Sequence, residues 1–302
     1  MGSAPPMLRT LRRHVAPPWL RYFNKSRRSR RKLAAVARAL GLPALDGNPL
    51  AARKASDTLF ILGSGASVLT YGENEWAKIA AADSLGFNYW IIHPFVPTHY
   101  IFELTKLEWD LPCISHNLAA RGDVTSGAAL YMKDAERFDP AAIRAAVEML
   151  PRFGGNALHL MWEAEIPGDT LPEYTRAVAS MARMGCFSGA GWAVPRKRAT
   201  LFFAVNLAVR AGYRRIVLCG VDLNNTRYFF KSEGFNAAAG LCIPPDYQSG
   251  PVHKTNDPTH GEVTIGAILD VYDRLVLQPR SIALSVAKAS SALHPRFPAY
   301  FA

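Results

Sequence analysis

The 302-residue sequence has little that would place it at a glance. It contains only four cysteines, Cys113, Cys186, Cys219 and Cys242, widely spaced and without a CxxC pair. Neither a zinc site nor a disulfide framework is indicated by that spacing, and a reducing cytoplasm suits it. The longest apolar runs, such as 199–205, fall far short of the ~20 residues of a membrane span, so transmembrane helices are not expected. The arginine-rich start lacks the apolar core of a secretory signal. Internal repeats are missing. So are the GxGxxG fingerprint of dinucleotide folds and the HExxH or DxD spacing of well-defined metal sites.

Acidic residues are nearly absent from residues 1–54, where Asp46 stands against 13 Lys and Arg, a net of +12. The remainder has 22 basic and 23 acidic residues, a net of −1, so the whole formal charge of +11 originates in the first 54 positions. There Trp19, Leu20, Tyr22 and Phe23 precede the cluster Lys25, Arg27, Arg28, Arg30, Arg31 and Lys32. Basic residues beside aromatics suit an anionic membrane surface, with the rings at headgroup level. A solvated tail or a nucleic-acid contact has the same charge pattern. Residues 1–54 are therefore expected to form a basic, membrane-proximal arm, and a near-neutral domain over 55–302 argues against nucleic acid.

What is present beyond the Pro/Gly-rich break at 41–50 alternates between strand and helix. TLFIL (58–62) reads as a buried strand, followed by a helix through Ala82 if Thr70 and Glu73 form a capping box. FNYWIIH and YIFEL are short β-rich runs, AAIRAAVEML is a helix, and 198–212 is another with Gly212 placed to end it. RRIVLCGVDL (214–223) has the continuous apolar character of a strand buried on both faces. Thr259 and Glu262 have the spacing of a second capping box before a final amphipathic helix. This order predicts an α/β fold with a mostly parallel, Rossmann-like sheet flanked by helices. The aperiodic stretch 230–258 is long for a loop and reads as a lid.

Five places can carry chemistry. The turn GSGAS (63–67) follows the first strand, where glycines and free amides can approach a phosphate, although a tight turn without ligand looks the same. Asn88 can read a base or sugar edge, or cap a turn; Glu103 has the same two readings. Arg196, Lys197 and Arg198 precede a helix whose dipole they oppose, which favours a bound anion near Thr200. Asp222, Asn224, Asn225 and Tyr228 follow a buried strand at the end where open sheets bind ligands, or form an Asx turn. His253 and His260 flank Asp257; as ligand types they can hold a metal, but without a defined spacing. His260, expected in the first turn of the last long helix, would be kept neutral there and able to accept a proton.

Taken in order, ILGSGAS, SLGFNYW, RATL, AGYRRIVLCGVDLNN with Tyr228, and His260 before an amphipathic helix resemble the bacterial family-42 sialyltransferases over roughly residues 57–295. The resemblance implies an inverting, metal-independent glycosyltransferase on a Rossmann-like domain, taking a sialic acid or related ulosonic acid such as Kdo from a CMP-sugar. No cofactor beyond that donor is implied. Matched to the family's pocket, Gly63, Ser64, Gly65, Ser67, Asn88, Asp222, Leu223 and Asn225 would hold the donor, with Arg198 and Thr200 lining the pocket. His260 would be the general base and Tyr228 would steady the departing phosphate. Ser64, Glu103, Leu201 and Asn224 depart from the family's Asn, Asn, Ser and Tyr. The acceptor would be a surface glycan or glycolipid, and the enzyme cytoplasmic and peripheral on the inner face of the membrane. Two rivals remain: an MptE-type pterin pyrophosphokinase using ATP and magnesium, and a non-enzymatic nucleic-acid binder working through the basic arm.

Overall fold

Seven strands form one wholly parallel sheet in a computed structural model that describes residues 16–43, 45, 49–151, 157–189, 191–245 and 252–301. The strands are β1 (Thr58–Leu62), β2 (Asp83–Phe87), β3 (His99–Glu103), β4 (Ala129–Lys133), β5 (Leu158–Leu160), β8 (Arg215–Cys219) and β9 (Ala283–Val286). Two further strands, β6 (Glu163–Glu165) and β7 (Val194–Arg196), form a separate parallel pair. The large sheet runs β5-β4-β3-β2-β1-β8-β9. The expected α/β class with a parallel sheet and flanking helices is the observed one.

All five side chains of β1 are buried, and their alternation divides them between two cores. Leu59 and Ile61 pack on one face with the helix Thr200–Ala211; Phe60 and Leu62 pack on the other with Tyr100, Phe102 and Trp90. Every residue of Thr200–Ala211 is buried, and two of its polar members reach across to partners. Asn206 accepts from the Tyr272 hydroxyl at 2.7 Å, and Arg210 donates to the carbonyls of Trp192, Cys186 and Ala193. Gly212 ends this helix at φ +79°, in the left-handed region expected of it.

Three expectations about local structure change. The helix after β1 is Glu73–Ala80, capped at Gly72 by the Glu75 carboxylate at 2.8 Å; Thr70 instead donates to the Ser67 carbonyl. The run FNYWIIH is not a strand beyond Phe87, because Asn88 turns left-handed at φ 52° and a 3-10 turn follows. The last long helix begins at Ile265, not near Thr259, because the Thr264 side chain accepts from Ala267 N at 3.2 Å. Thr259 is bound to Asp257, and Glu262 accepts from Leu171 N at 3.4 Å.

The basic segment is not a tail over the residues described, although residues 1–15 lie outside them. Pro18–Ala39 is a 22-residue helix, α1, that packs on β6, on Pro140–Met149 and on Leu171–Arg183. Tyr22, Ser26, Ser29, Leu33 and Val36 recur at spacings of four and three and form its buried stripe. The Trp162 indole donates to Ser26 O at 2.9 Å, and Ala193 N donates to the Ser26 hydroxyl at 3.0 Å. The boundary expected at 54/55 therefore falls between segments that share a core.

Cys113 and Cys242 form a disulfide, with Cα atoms 5.4 Å apart across 129 residues of sequence. Spacing alone hid this pair, and since disulfides belong to oxidising compartments it removes the reason for reading a reducing one. Cys186 and Cys219 are free and buried.

Burial holds two core histidines below their usual range. His93, stacked 4.4 Å from Trp90, and His99, beside Tyr131, each fall to about 4. Their neutral forms are the folded forms, so the unfolded chain binds more protons between pH 6.5 and 4. Stability is thus present above about 6.5 and lost as pH falls toward 4, by roughly 3 kcal/mol for each histidine. Urea midpoints measured from pH 7.5 to 4.5 should drop most steeply in that window; a flat profile would contradict the burial.

Candidate functional site

At β1 the strand order reverses: β2 to β5 lie on one side of it, β8 and β9 on the other. Ligands of open α/β sheets bind outside the carboxyl ends of the strands at such a switch point. A cavity of about 260 Å³ lies there. It is near the lower end of small-molecule pockets, typically about 300–1,000 Å³, and suits a mononucleotide better than a dinucleotide.

Each strand end contributes. Gly63, Ser64 and Gly65 follow β1, Phe87 and Asn88 follow β2, Glu103 closes β3, and residues 220–223 follow β8. Arg198 and Thr200 enter from the start of the buried helix, Asn225 and Tyr228 from the loop after β8, and His253, Lys254 and Thr255 from the segment before the last helix. Of the predicted residues, Gly63, Ser64, Gly65, Asn88, Arg198, Thr200, Asp222, Leu223, Asn225 and Tyr228 meet at this cavity. Ser67 and His260 are not among its lining residues.

The glycine turn is required by the neighbouring strand end as much as by any ligand. A Cβ on Gly63 would lie 2.7 Å from Gly220 O, and one on Gly65 would lie 2.7 Å from both Gly220 O and the Asp222 carboxylate. The two turns are joined further by Ser67, whose amide donates to Asp222 Oδ2 at 3.0 Å and whose hydroxyl donates to Oδ1. Asp222 therefore locks the β1 and β8 turns together. Gly65→Ala should lower stability by about 1–3 kcal/mol, since backbone atoms must move, and should weaken ligand binding along with it. Denaturation midpoints check the first effect and ligand titration the second.

Arg198 lines the cavity as expected and is also bound to the chain itself. At φ 60° it is left-handed, and its guanidinium donates to four carbonyls: Thr255, Lys254, Asp257 and His260, at 2.8 to 3.0 Å. It fixes the segment that carries His253 to the cavity wall. The stretch expected as a lid is thus held here, and again at Cys242, where Asn117 gives and receives backbone hydrogen bonds beside the disulfide. Residues 246–251 of that stretch lie outside the described residues.

His253 is the histidine that faces the cavity. Its ring is 6.4 Å from the Tyr228 ring, and Nδ1 lies 2.8 Å from the Thr255 hydroxyl. Burial, helped by Lys254, lowers its pKa to about 4, so it is neutral at pH 7. His260 lies in a 3-10 turn with more than half its side chain exposed and Nδ1 3.3 Å from Asp257. It is not in the first turn of the last long helix, which starts five residues later.

Two buried polar atoms on the cavity-lining residues have no hydrogen-bond partner among the described residues: Asn88 Oδ1 and Thr200 Oγ1. A buried polar group without a partner costs free energy, so a ligand that pairs with both is favoured. Three non-glycine lining residues, Asn88, Arg198 and Leu223, have positive φ, and such backbone strain collects at ligand sites. The carboxylates are already engaged. Asp110 accepts from Tyr89 and Thr105, Asp222 from Ser67, and Glu103 lies 3.6 Å from Lys133. His253, Asp257 and His260 do not gather as metal ligands; among the described residues the group that does is Asp134, Glu136 and Glu163, outside the cavity lining.

Sequence reasoning missed Trp109 and Asp110, which come from the loop and helix after β3 and have no motif of their own. It also passed over Lys254 and Thr255, for which only their neighbour His253 was a signal.

No family model matches this chain, and no curated protein matches it. Among solved structures it is similar to the monofunctional alpha-2,3-sialyltransferase Cst-I from Campylobacter jejuni, at 10% identity over 80% of each chain and a TM-score of 0.43. A likeness that slight carries no weight in assigning the site.

Proposed function

We propose that the chain is an inverting glycosyltransferase that moves a sialic acid or related ulosonic acid from a CMP-sugar to a hydroxyl of a surface-glycan or lipid-linked acceptor. The observation that supports this most is the pair of unpartnered buried atoms, Asn88 Oδ1 and Thr200 Oγ1, at a mononucleotide-sized cavity beside a neutral histidine. The motif order from the glycine turn to Tyr228, with its likeness to family-42 sialyltransferases, supplies the identity of the donor.

Asn88 Oδ1 accepts from the amino group of a cytosine, which uracil lacks, and the Thr200 hydroxyl donates to a sugar or phosphate oxygen. The acceptor hydroxyl attacks the anomeric carbon as the bond to the phosphate oxygen breaks, and CMP departs with that electron pair. His253 takes the acceptor proton on Nε2 in the tautomer that gives Nδ1–H to the Thr255 hydroxyl at 2.8 Å, at the expense of the 3.4 Å contact that Nδ1 accepts from the Thr255 amide. In the empty site its pKa of about 4 makes it a weak base. The phosphate and carboxylate of the donor raise it, because a nearby anion favours imidazolium. Tyr228 steadies the leaving phosphate, a role that preorganised donors perform well, whereas the amides of Gly63, Gly65, Ala66 and Ser67 are already given to the chain. With the cavity's carboxylates already engaged, protein donors meet the phosphate charge and no metal is needed.

The test is release of CMP from CMP-sialic acid and from CMP-Kdo, in the presence of a chelator and glycan acceptors. Acceptor-dependent release from either donor is expected. Turnover of ATP with magnesium, and of neither CMP-sugar, would favour the pyrophosphokinase reading instead.

A further inference from the structure

The solvent side of α1 is set apart by charge. The helix contains eight Lys and Arg and no acidic residue, and over 22 residues it is about 33 Å long. Lys25, Arg27, Arg28, Arg30, Arg31 and Arg38 are all exposed. By helical geometry Arg27, Arg28, Arg31 and Arg38 lie opposite the buried stripe of Tyr22, Ser26, Ser29, Leu33 and Val36, with Lys25 and Arg30 at its two margins and Arg30 over the Trp162 ring at 4.8 Å. None of the six forms an ion pair with a carboxylate of the described residues. Lys32, nearer the body, donates to the carbonyls of Glu136 and Phe138 and helps seat the helix.

The aromatic residues are not on that side. Tyr22 is fully buried with its hydroxyl on Ala193 O, and Phe23 packs edge-on against Trp192 at 5.5 Å. The sequence-based expectation of rings at headgroup level does not hold for them.

We propose that this face of α1 is a docking surface for an anionic lipid bilayer, which it adsorbs to as a preformed helix, by charge, without inserting aromatic side chains. Charge complementarity identifies the partner: a row of cations without carboxylate partners among the described residues, on a helix already packed to the body, meets a plane of anionic headgroups without rearrangement. Duplex nucleic acid fits less well. A reading helix enters a groove about 12 Å wide, whereas α1 has Pro140–Met149 and Leu171–Arg183 packed against it. Single strands are bound largely by stacking on exposed rings, and those of α1 are turned inward. The inference rests on the helix alone and is independent of the reaction at the cavity.

The experiment is co-sedimentation of the full chain with vesicles of phosphatidylcholine, or of phosphatidylcholine with phosphatidylserine, at low and high salt. Deleting residues 1–54 is unsuitable, because Tyr22 belongs to the core. The triple variant K25A/R28A/R31A keeps helix-favouring side chains at exposed positions, and circular dichroism checks its fold. Binding is expected only to anionic vesicles, to vanish at high salt, and to weaken about a hundredfold in the triple variant, at roughly fivefold per cation. Equal binding to neutral vesicles, salt-independent binding, or an unchanged triple variant would overturn the proposal. So would displacement from anionic vesicles by a stoichiometric amount of duplex or single-stranded nucleic acid, which would mark the face as a nucleic-acid contact.

Discussion

His253→Ala is expected to lower sugar transfer by about 10²–10⁴-fold, the usual contribution of a positioned general base, while CMP binding changes by no more than a few fold. The expectation follows from placement. His253 lines the cavity, is buried, and is neutral because burial takes its pKa to about 4. His260→Ala should leave turnover near that of the parent, since its ring is outside the lining and the contact to Arg198 comes from its backbone carbonyl. The pH profile adds an independent reading. The base works unprotonated, so kcat/KM, which reports the free enzyme, should hold from pH 7 down to about 5 and fall toward 4. The kcat limb should lie higher, because the bound donor's negative charge raises the same group. Parallel rate and binding measurements on the two variants decide it: loss with His260→Ala and not with His253→Ala would reverse the assignment.

Arg198→Ala is expected to lower kcat/KM by about a hundredfold, with most of the loss in kcat. One guanidinium holds the carbonyls of residues 254, 255, 257 and 260, and its removal frees the chain that aims His253 at the cavity. A displacement of about 1 Å is enough for a loss of that size. Arg198→Lys should not restore activity, because a single ammonium with three donors cannot reproduce a planar fork reaching four acceptors. A positioning role also predicts faster proteolysis within 252–260 with little change in global stability. Normal protease resistance with lost CMP affinity would instead make Arg198 a direct ligand contact.

Much of the fold was legible because its signals are local. TLFIL, a threonine and four apolar residues between turn residues, is β1 to the residue, and Gly212 ends its helix as its conformational freedom suggests. The capping boxes misled for a physical reason. The pairs Thr70/Glu73 and Thr259/Glu262 have suitable spacing, but Gly72 with Glu75, and Thr264, supply caps that fit the observed helix starts. Helix α1 was hidden because its buried stripe includes Ser26 and Ser29, which allow close approach without an apolar pattern. The disulfide was hidden because Cys113 and Cys242 meet only after the chain has folded across 129 residues.

The site was legible as a set of positions and less so as a set of roles. Ten of the predicted residues converge at the switch point, where strand-end residues of a parallel sheet must lie. The roles of Asp222 and Arg198 depend on long-range partners, Ser67 and the 254–260 carbonyls, that no local window contains. The placement of His260 outside the last long helix depended on where that helix begins.

Calorimetric titration of the full chain with CMP, and in parallel with UMP and with ATP plus magnesium, tests most directly whether the switch-point cavity is a cytidylate site. The account predicts saturable binding of CMP with metal chelated, at least tenfold weaker binding of UMP, and loss of the CMP signal in Gly65→Ala. Binding of ATP with magnesium and none of CMP would contradict it.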